Sequence, residues 1–126
     1  MFKSIYSPDS PLPGGTYSPG IVIGDLLFLS GQGPFDILGT RVGETFADQV
    51  RKTFQNLESL AEVAGTNLGN TIRYGVYLRS FDNFAEFNEI ALDYLSKPFP
   101  ARTTIEVALR GFDLLIDAVV AIPKRT

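Results

Sequence analysis

The chain has 126 residues, 44% of them hydrophobic and 20% charged, enough for one domain (residues 1–126) with a single core. Eleven basic against fourteen acidic residues leave a net charge of −3 and a pI near 4.8, which speaks against the broad positive surface that nucleic-acid phosphates demand. With no cysteine and no histidine there is no disulfide, thiol nucleophile or imidazole base; catalysis falls to carboxylates, tyrosine, hydroxyls, arginine or bound water, and no metal or cofactor is expected.

Residues 1–6 hold no apolar signal-peptide core, and no run approaches the roughly 18 apolar residues of a membrane span, so the cytosol is the expected compartment. Residues 7–20 carry Pro8, Pro11, Pro13, Gly14, Gly15, Pro19 and Gly20, an irregular lead-in around Tyr17 and Ser18 that is either a flexible tail or a shaped wall. Residues 21–23, a Gly24-Asp25 turn and residues 26–30 predict a β-hairpin. Its second strand runs through Ser30 into Gly31-Gln32-Gly33-Pro34, which reads equally as a simple turn or as backbone brought close to something. The spacing of a phosphate loop is absent.

From Thr45 the period changes to a helical one, with Phe46, Val50, Phe54, Leu57, Leu60, Ala61 and Ala64 on one face. Thr45 and Asp48 resemble a capping box, Gly65 stands where a helix stops, and Gln49 should only border the core. Residues 71–79 return to alternation, with Ile72, Tyr74, Val76 and Leu78 on one side and Arg73, Gly75, Tyr77 and Arg79 on the other. A second helix, capped by Asp82, should bury Phe84, Phe87, Ala91, Tyr94 and Leu95. Asn88 falls on that apolar stripe, where an unpartnered amide costs about 1–3 kcal/mol. It either hydrogen-bonds a strand or serves a site.

Pro98 and Pro100 then force an extended run into a strand with Arg102, Thr104 and Glu106 on one face and Thr103, Ile105 and Val107 on the other. Arg102 is either a surface arginine or a planar clamp for a carboxylate. Leu109-Arg110-Gly111-Phe112 predicts a two-residue turn into a last strand over residues 112–122, which sets Thr104 opposite Asp117 and brings Arg102 within reach diagonally. Asp117 is the only charge between Asp113 and Lys124 and should be paired, with Arg102 the available partner. The order of elements predicts an α+β domain, two helices on one face of a mixed sheet. The other face is left with apolar residues, so an oligomer is expected.

Over essentially its whole length the chain resembles the Rid family (YjgF, reactive intermediate deaminases). Gly15-Thr16-Tyr17-Ser18-Pro19 looks like the family's Gly-Pro-Tyr-Ser segment, Phe28-Leu29-Ser30-Gly31-Gln32 its Ser-Gly-Gln strand end, and Phe87-Asn88 its helix-two asparagine. Pro100-Ala101-Arg102-Thr103 matches Pro-Ala-Arg-Ser/Thr, and Ile105-Glu106-Val107-Ala108 matches Val-Glu-Val-Ala. The resemblance implies a homotrimer of chorismate-mutase-like subunits with clefts between them, hydrolysing enamines and imines such as 2-aminoacrylate to 2-keto acids and ammonia. It implies that Arg102 holds the substrate carboxylate and that Tyr17, Ser30, Gly31 and Asn88 line the cleft. Asp117 stands where the family has a water-positioning glutamate, and Thr104 where it commonly has a cysteine, a change of pocket shape. Alternatives are a non-catalytic module binding 2-keto acids, and a deaminase dedicated to a larger enamine such as 2-aminomuconate. A nuclease or translation inhibitor is opposed by the acidic pI and the missing histidines.

Overall fold

The alternating and helical stretches resolve, in a computed structural model describing residues 1–124, into six strands and two α-helices. In chain order these are β1 (Phe2–Ile5), β2 (Gly20–Ile23), β3 (Leu26–Gln32), α1 (Phe46–Val63), β4 (Thr71–Leu78), α2 (Phe84–Ala91), β5 (Ala101–Glu106) and β6 (Leu114–Ala121). The strands form one mixed sheet in the order β1-β2-β3-β6-β4-β5. Both helices pack on one face, over a core that includes Leu27, Leu29, Val76, Leu78, Ile116 and Val120 from the sheet. Phe54 of α1 stacks on Phe87 of α2 at 5.9 Å and on Tyr94 at 4.6 Å, joining the helices through aromatic faces.

The expected hairpin forms as β2 and β3, and α1 starts at the expected cap, Thr45, whose hydroxyl accepts from the Asp48 N–H at 3.1 Å. It ends before Gly65, whose φ of +82° suits a residue with no Cβ. Other expectations fail in detail. Gln49 is not at the border: it is 1% exposed, and its Oε1 accepts from the Asp113 N–H at 2.9 Å. Ser80, not Asp82, provides the cap before α2, through a one-turn 3₁₀ segment (Phe81–Asn83) that precedes it. Ile72 falls in an irregularity of the β4–β6 register and is exposed. Strand β1 was not expected, because only Ile5 of its four residues is buried. Ile5 packs where Gly20 has no side chain; a Cβ there would lie 2.9 Å from Ile5.

The expected C-terminal hairpin does not form. Strand β5 pairs with β4 in parallel, and β6 pairs antiparallel with β4 on its other side and with β3 beyond. Composition explains the choice. Strand β6 is apolar except at Asp117 and suits the sheet centre, whereas β5 carries Arg102, Thr103, Thr104 and Glu106 and suits an edge. The stretch read as a tight turn instead passes the end of β4, held by Val107 N–H to Leu78 O and Arg79 N–H to Asp113 O, both 2.9 Å.

The face opposite the helices is uncovered. Phe2, Ile23, Phe28 and Ile105 are 62%, 46%, 44% and 43% exposed, and the strand registers place all four on that face, the first three near one edge of the sheet and Ile105 at the other. Among the described residues, no helix is long and apolar enough to cross a membrane.

On α1, the half-buried Glu58 carboxylate accepts from the Leu68 N–H at 3.3 Å. Burial pushes its pKa above the ordinary 4.5, the Leu68 N–H opposes the shift, and nearby Glu62 adds to it. A raised folded-state pKa stabilises below the unfolded value, and that contribution is lost as pH rises through the folded value. Glu58→Gln keeps an acceptor for Leu68, so it should unfold at a higher temperature than wild type at neutral pH, the gap closing below about pH 4. Identical melting temperatures at neutral pH would rule this out.

Candidate active site

The two prolines hold the chain extended into β5, and alternation then puts Arg102 beside Tyr74 on the helix side of the sheet. There α2 meets it. Arg102 Nη1 donates to Asn88 Oδ1 at 2.6 Å, and the guanidinium carbon lies 5.3 Å from the centre of the Phe84 ring. Glu106 accepts from the Phe81 N–H at 2.9 Å, which ties the start of the α2 region to the end of β5. Arg102 and Asn88, with Tyr74 beside them, line a cavity of about 460 Å³ whose apolar wall is Ala91, Leu92, Leu95, Phe99 and Pro100. Among the described residues, no carboxylate lies within ion-pairing distance of Arg102. Thr104 lies two positions on along the same face, and its buried hydroxyl finds no hydrogen-bond partner among the described residues.

A second group gathers on the other side of the sheet. Leu29 pairs with Ala118 and Gln32 with Ile116, so Ser30 and Gly31 form a bulge opposite Asp117. The irregular lead-in is a shaped wall: Ser30 donates through its hydroxyl to Ser18 O at 2.6 Å and through its N–H to Pro19 O at 2.9 Å. The Tyr17 hydroxyl accepts from the Gly14 N–H at 3.2 Å. Tyr17, Gly31, Phe35 and Leu115 line a smaller cavity of about 230 Å³. Asp117 Oδ1 accepts from the Gly75 N–H and Oδ2 from the Tyr77 hydroxyl, each at 3.0 Å. Donation to Asp117, then burial, raises the Tyr77 phenol above its ordinary 10.0.

Arg102 and Asn88 thus meet, with Thr104 farther along the same face, and Tyr17 and Gly31 share a cavity beside the Ser30–Gly31 bulge that stands opposite Asp117, but within one chain the two groups lie on opposite faces of the sheet. The expected pairing of Arg102 with Asp117 is not made. Thr104 stands beside Val76, and Asp117 beside Gly75, because β4 intervenes. Sequence reasoning missed Phe84 as the ring over Arg102, and Gly75 and Tyr77 as the partners of Asp117. A glycine inside the alternating β4 stretch was the available signal for a close approach.

The profile of a family described as Endoribonuclease L-PSP matches residues 7–122. A RutC family protein of Saccharolobus solfataricus (SSO3206) is 35% identical over 125 residues, 98% of this chain and 99% of that protein. A protein of Dermatophagoides farinae named 2-iminobutanoate/2-iminopropanoate deaminase is 29% identical over 107 residues, 84% of each chain. The crystal structure of RidA from the Antarctic bacterium Psychrobacter sp. PAMC 21119 superposes with a TM-score of 0.88 at 31% identity, covering 95% of this chain and 99% of that one. With the profile spanning nearly the whole chain and the mixed sheet and paired helices shared with a RidA structure, the chain belongs to the Rid (YjgF) family and has its chorismate-mutase-like fold.

Proposed function

We propose that the protein hydrolyses enamines and imines of 2-amino acids, 2-aminoacrylate among them, to 2-keto acids and ammonia. The observation that carries this is the guanidinium of Arg102. Asn88 takes one of its donors, no described carboxylate pairs with it, and it borders the 460 Å³ cavity. Such a fork binds a carboxylate through two parallel hydrogen bonds. The name of the Dermatophagoides relative supports the substrate class.

The chemistry needs neither imidazole nor thiol. An enamine becomes an imine when a proton moves from nitrogen to the β-carbon. Protonating the imine nitrogen makes its carbon electrophilic; a water oxygen bonds to that carbon and gives up a proton. The C–N bond then breaks, ammonia leaves and a carbonyl remains, with one water consumed and no electron exchanged. The protein has to anchor the carboxylate, hold the water and shuttle the proton. Arg102 does the first. Asp117, bordered by Ser30 and Gly31, does the second, and its oxygens keep lone pairs for a water beyond the two bonds they already accept. The buried Thr104 hydroxyl, which has no partner among the described residues, is a further group that could hold a water.

Because one chain carries these groups on opposite faces, the working cleft forms between chains. One subunit supplies Arg102, Asn88 and Thr104, and its neighbour supplies Tyr17, Ser30, Gly31 and Asp117. Two different patches meeting in this way are a heterologous contact, which makes a ring where the rotation between neighbours closes. The family resemblance implies a homotrimer, and the exposed apolar face supports burial by association. Light scattering should therefore give a mass near three times 13.8 kDa. A stable monomer at micromolar concentration would remove the cleft between subunits and with it the union of the two groups.

A module that binds 2-keto acids without turnover would use the same Arg102, and the internal hydrogen bonds of Asp117 are what favours that second reading. The deciding test is freshly generated 2-aminoacrylate, followed as keto acid and ammonia against a control without protein. Hydrolysis no faster than the control would leave only the binding module.

A further inference from the structure

We propose that Tyr77 is a positioning residue which, together with Gly75, fixes the carboxylate of Asp117 for its work on water. This rests on the hydrolytic reading above and adds to it a specific device for using a side chain one methylene shorter than glutamate.

Three observations converge on it. Both carboxylate oxygens are held from the same neighbouring strand, Oδ1 by the Gly75 N–H and Oδ2 by the Tyr77 hydroxyl. Gly75 is cut to the shape of that carboxylate. A Cβ there would come within 2.5 Å of Asp117 Oδ1 and 3.2 Å of the Tyr77 oxygen, so only glycine lets the group lie against the strand. The direction of Tyr77 is fixed by its neighbours: Val76 and Leu78 are both buried on the helix side, which sends Tyr77 to the face where Asp117 stands. Arg73, a cation of β4 on that face, donates through Nη2 to Thr103 Oγ1 at 3.3 Å and makes no ion pair with Asp117 among the described residues, although its charge reaches Tyr77 and opposes the rise of the phenol pKa. The donors to Asp117 are thus neutral and leave it an acceptor with a fixed direction. The elevated phenol pKa described above agrees with a hydroxyl committed to donation. Beside this clamp lies the Ser30–Gly31 bulge, where the sheet opens toward the second cavity.

The test is a set of variants assayed on freshly generated 2-aminoacrylate, with assembly mass and thermal unfolding followed in parallel. Tyr77→Phe removes one donor and keeps the ring. Its kcat should fall by about 10–100-fold, the effect of a displacement of up to about 1 Å. KM and the affinity for 2-ketobutyrate should hold, since Arg102 is untouched. Asp117→Glu alone should not raise kcat, because the added methylene drives the carboxylate about 1.5 Å toward the phenol oxygen. The double variant Tyr77→Phe with Asp117→Glu should recover most of the lost rate, the longer side chain reaching without the clamp.

Wild-type kcat in Tyr77→Phe would overturn the proposal and confine Tyr77 to structure. So would a fallen kcat that the double variant fails to restore. Should Tyr77→Phe not assemble, Gly75→Ala keeps the phenol but pushes a Cβ against both the carboxylate and the ring of Tyr77, breaking the same clamp from the other side; the same loss of kcat is then expected, and unchanged kcat overturns the idea. An inactive wild type would instead sink the hydrolytic reading itself, a result distinct from an active wild type matched by Tyr77→Phe.

Discussion

Arg102→Ala is expected to abolish turnover of 2-aminoacrylate and to remove measurable binding of 2-keto acids, with the assembly unchanged. Each charge-assisted hydrogen bond from a guanidinium contributes about 1.5–3 kcal/mol, so losing the pair costs roughly 10²–10⁴-fold in affinity. The fold should tolerate the change. Strand β5 is attached through its backbone ladder to β4 over six paired residues, and its side chains, Thr104 apart, are exposed. Asn88 loses its partner but is only half-buried and can turn to water. Arg102→Lys keeps the charge and loses the fork, so part of the affinity should remain. Titration calorimetry with pyruvate or 2-ketobutyrate, with mass measured alongside, reads all of this. Equal affinity in wild type and Arg102→Ala would make Arg102 a surface arginine. A lost assembly would show that its contacts with Asn88 and Phe84 are structural.

Much of the fold could be read from local pattern. The hairpin of β2 and β3, the cap and stop of α1, and the alternation of β5 and of β4 from Tyr74 onward all depend on a few neighbouring residues, and each stands where spacing placed it; only Ile72, at the register irregularity of β4, departs from it. What spacing could not supply was the order of strands. Leu109-Arg110-Gly111-Phe112 has the composition of a tight turn, and nothing local says that β4 must slip between β5 and β6. That arrangement follows from where an apolar strand and a polar one can each be buried, a property of the whole sheet. Strand β1 was illegible for a related reason: its one buried side chain, Ile5, earns its place only once Gly20 lies beside it.

The site was legible in the same uneven way. Arg102 and Asn88 were singled out separately and meet at 2.6 Å, and Ser30 and Gly31 do form an irregularity at the strand end. The pairing of Arg102 with Asp117 was inferred through the wrong strand order and fails with it. Correcting the order assigns Asp117 to Gly75 and Tyr77 and separates it from Arg102, so that within one chain the two clusters stand on opposite faces of the sheet.

Asp117→Asn carries the second large effect. The amide has the shape of the carboxylate: its oxygen can accept from Gly75, and its NH₂ can face the Tyr77 oxygen, so strands β4 and β6 should stay paired. What it lacks is negative charge to take a proton from water. If Asp117 serves that step, kcat should fall by roughly 10²–10⁴-fold, the usual contribution of a positioned general base. Binding of 2-ketobutyrate should survive, because in the proposed cleft its carboxylate is anchored by Arg102 and not by Asp117. A fall in kcat with KM little changed is the signature of an interaction made in the transition state. Comparable losses in kcat and in keto-acid affinity would instead mark Asp117 as part of the cleft wall. Undiminished turnover would mean that water is held elsewhere, with the Thr104 hydroxyl the first group to test, since it is buried and has no partner among the described residues.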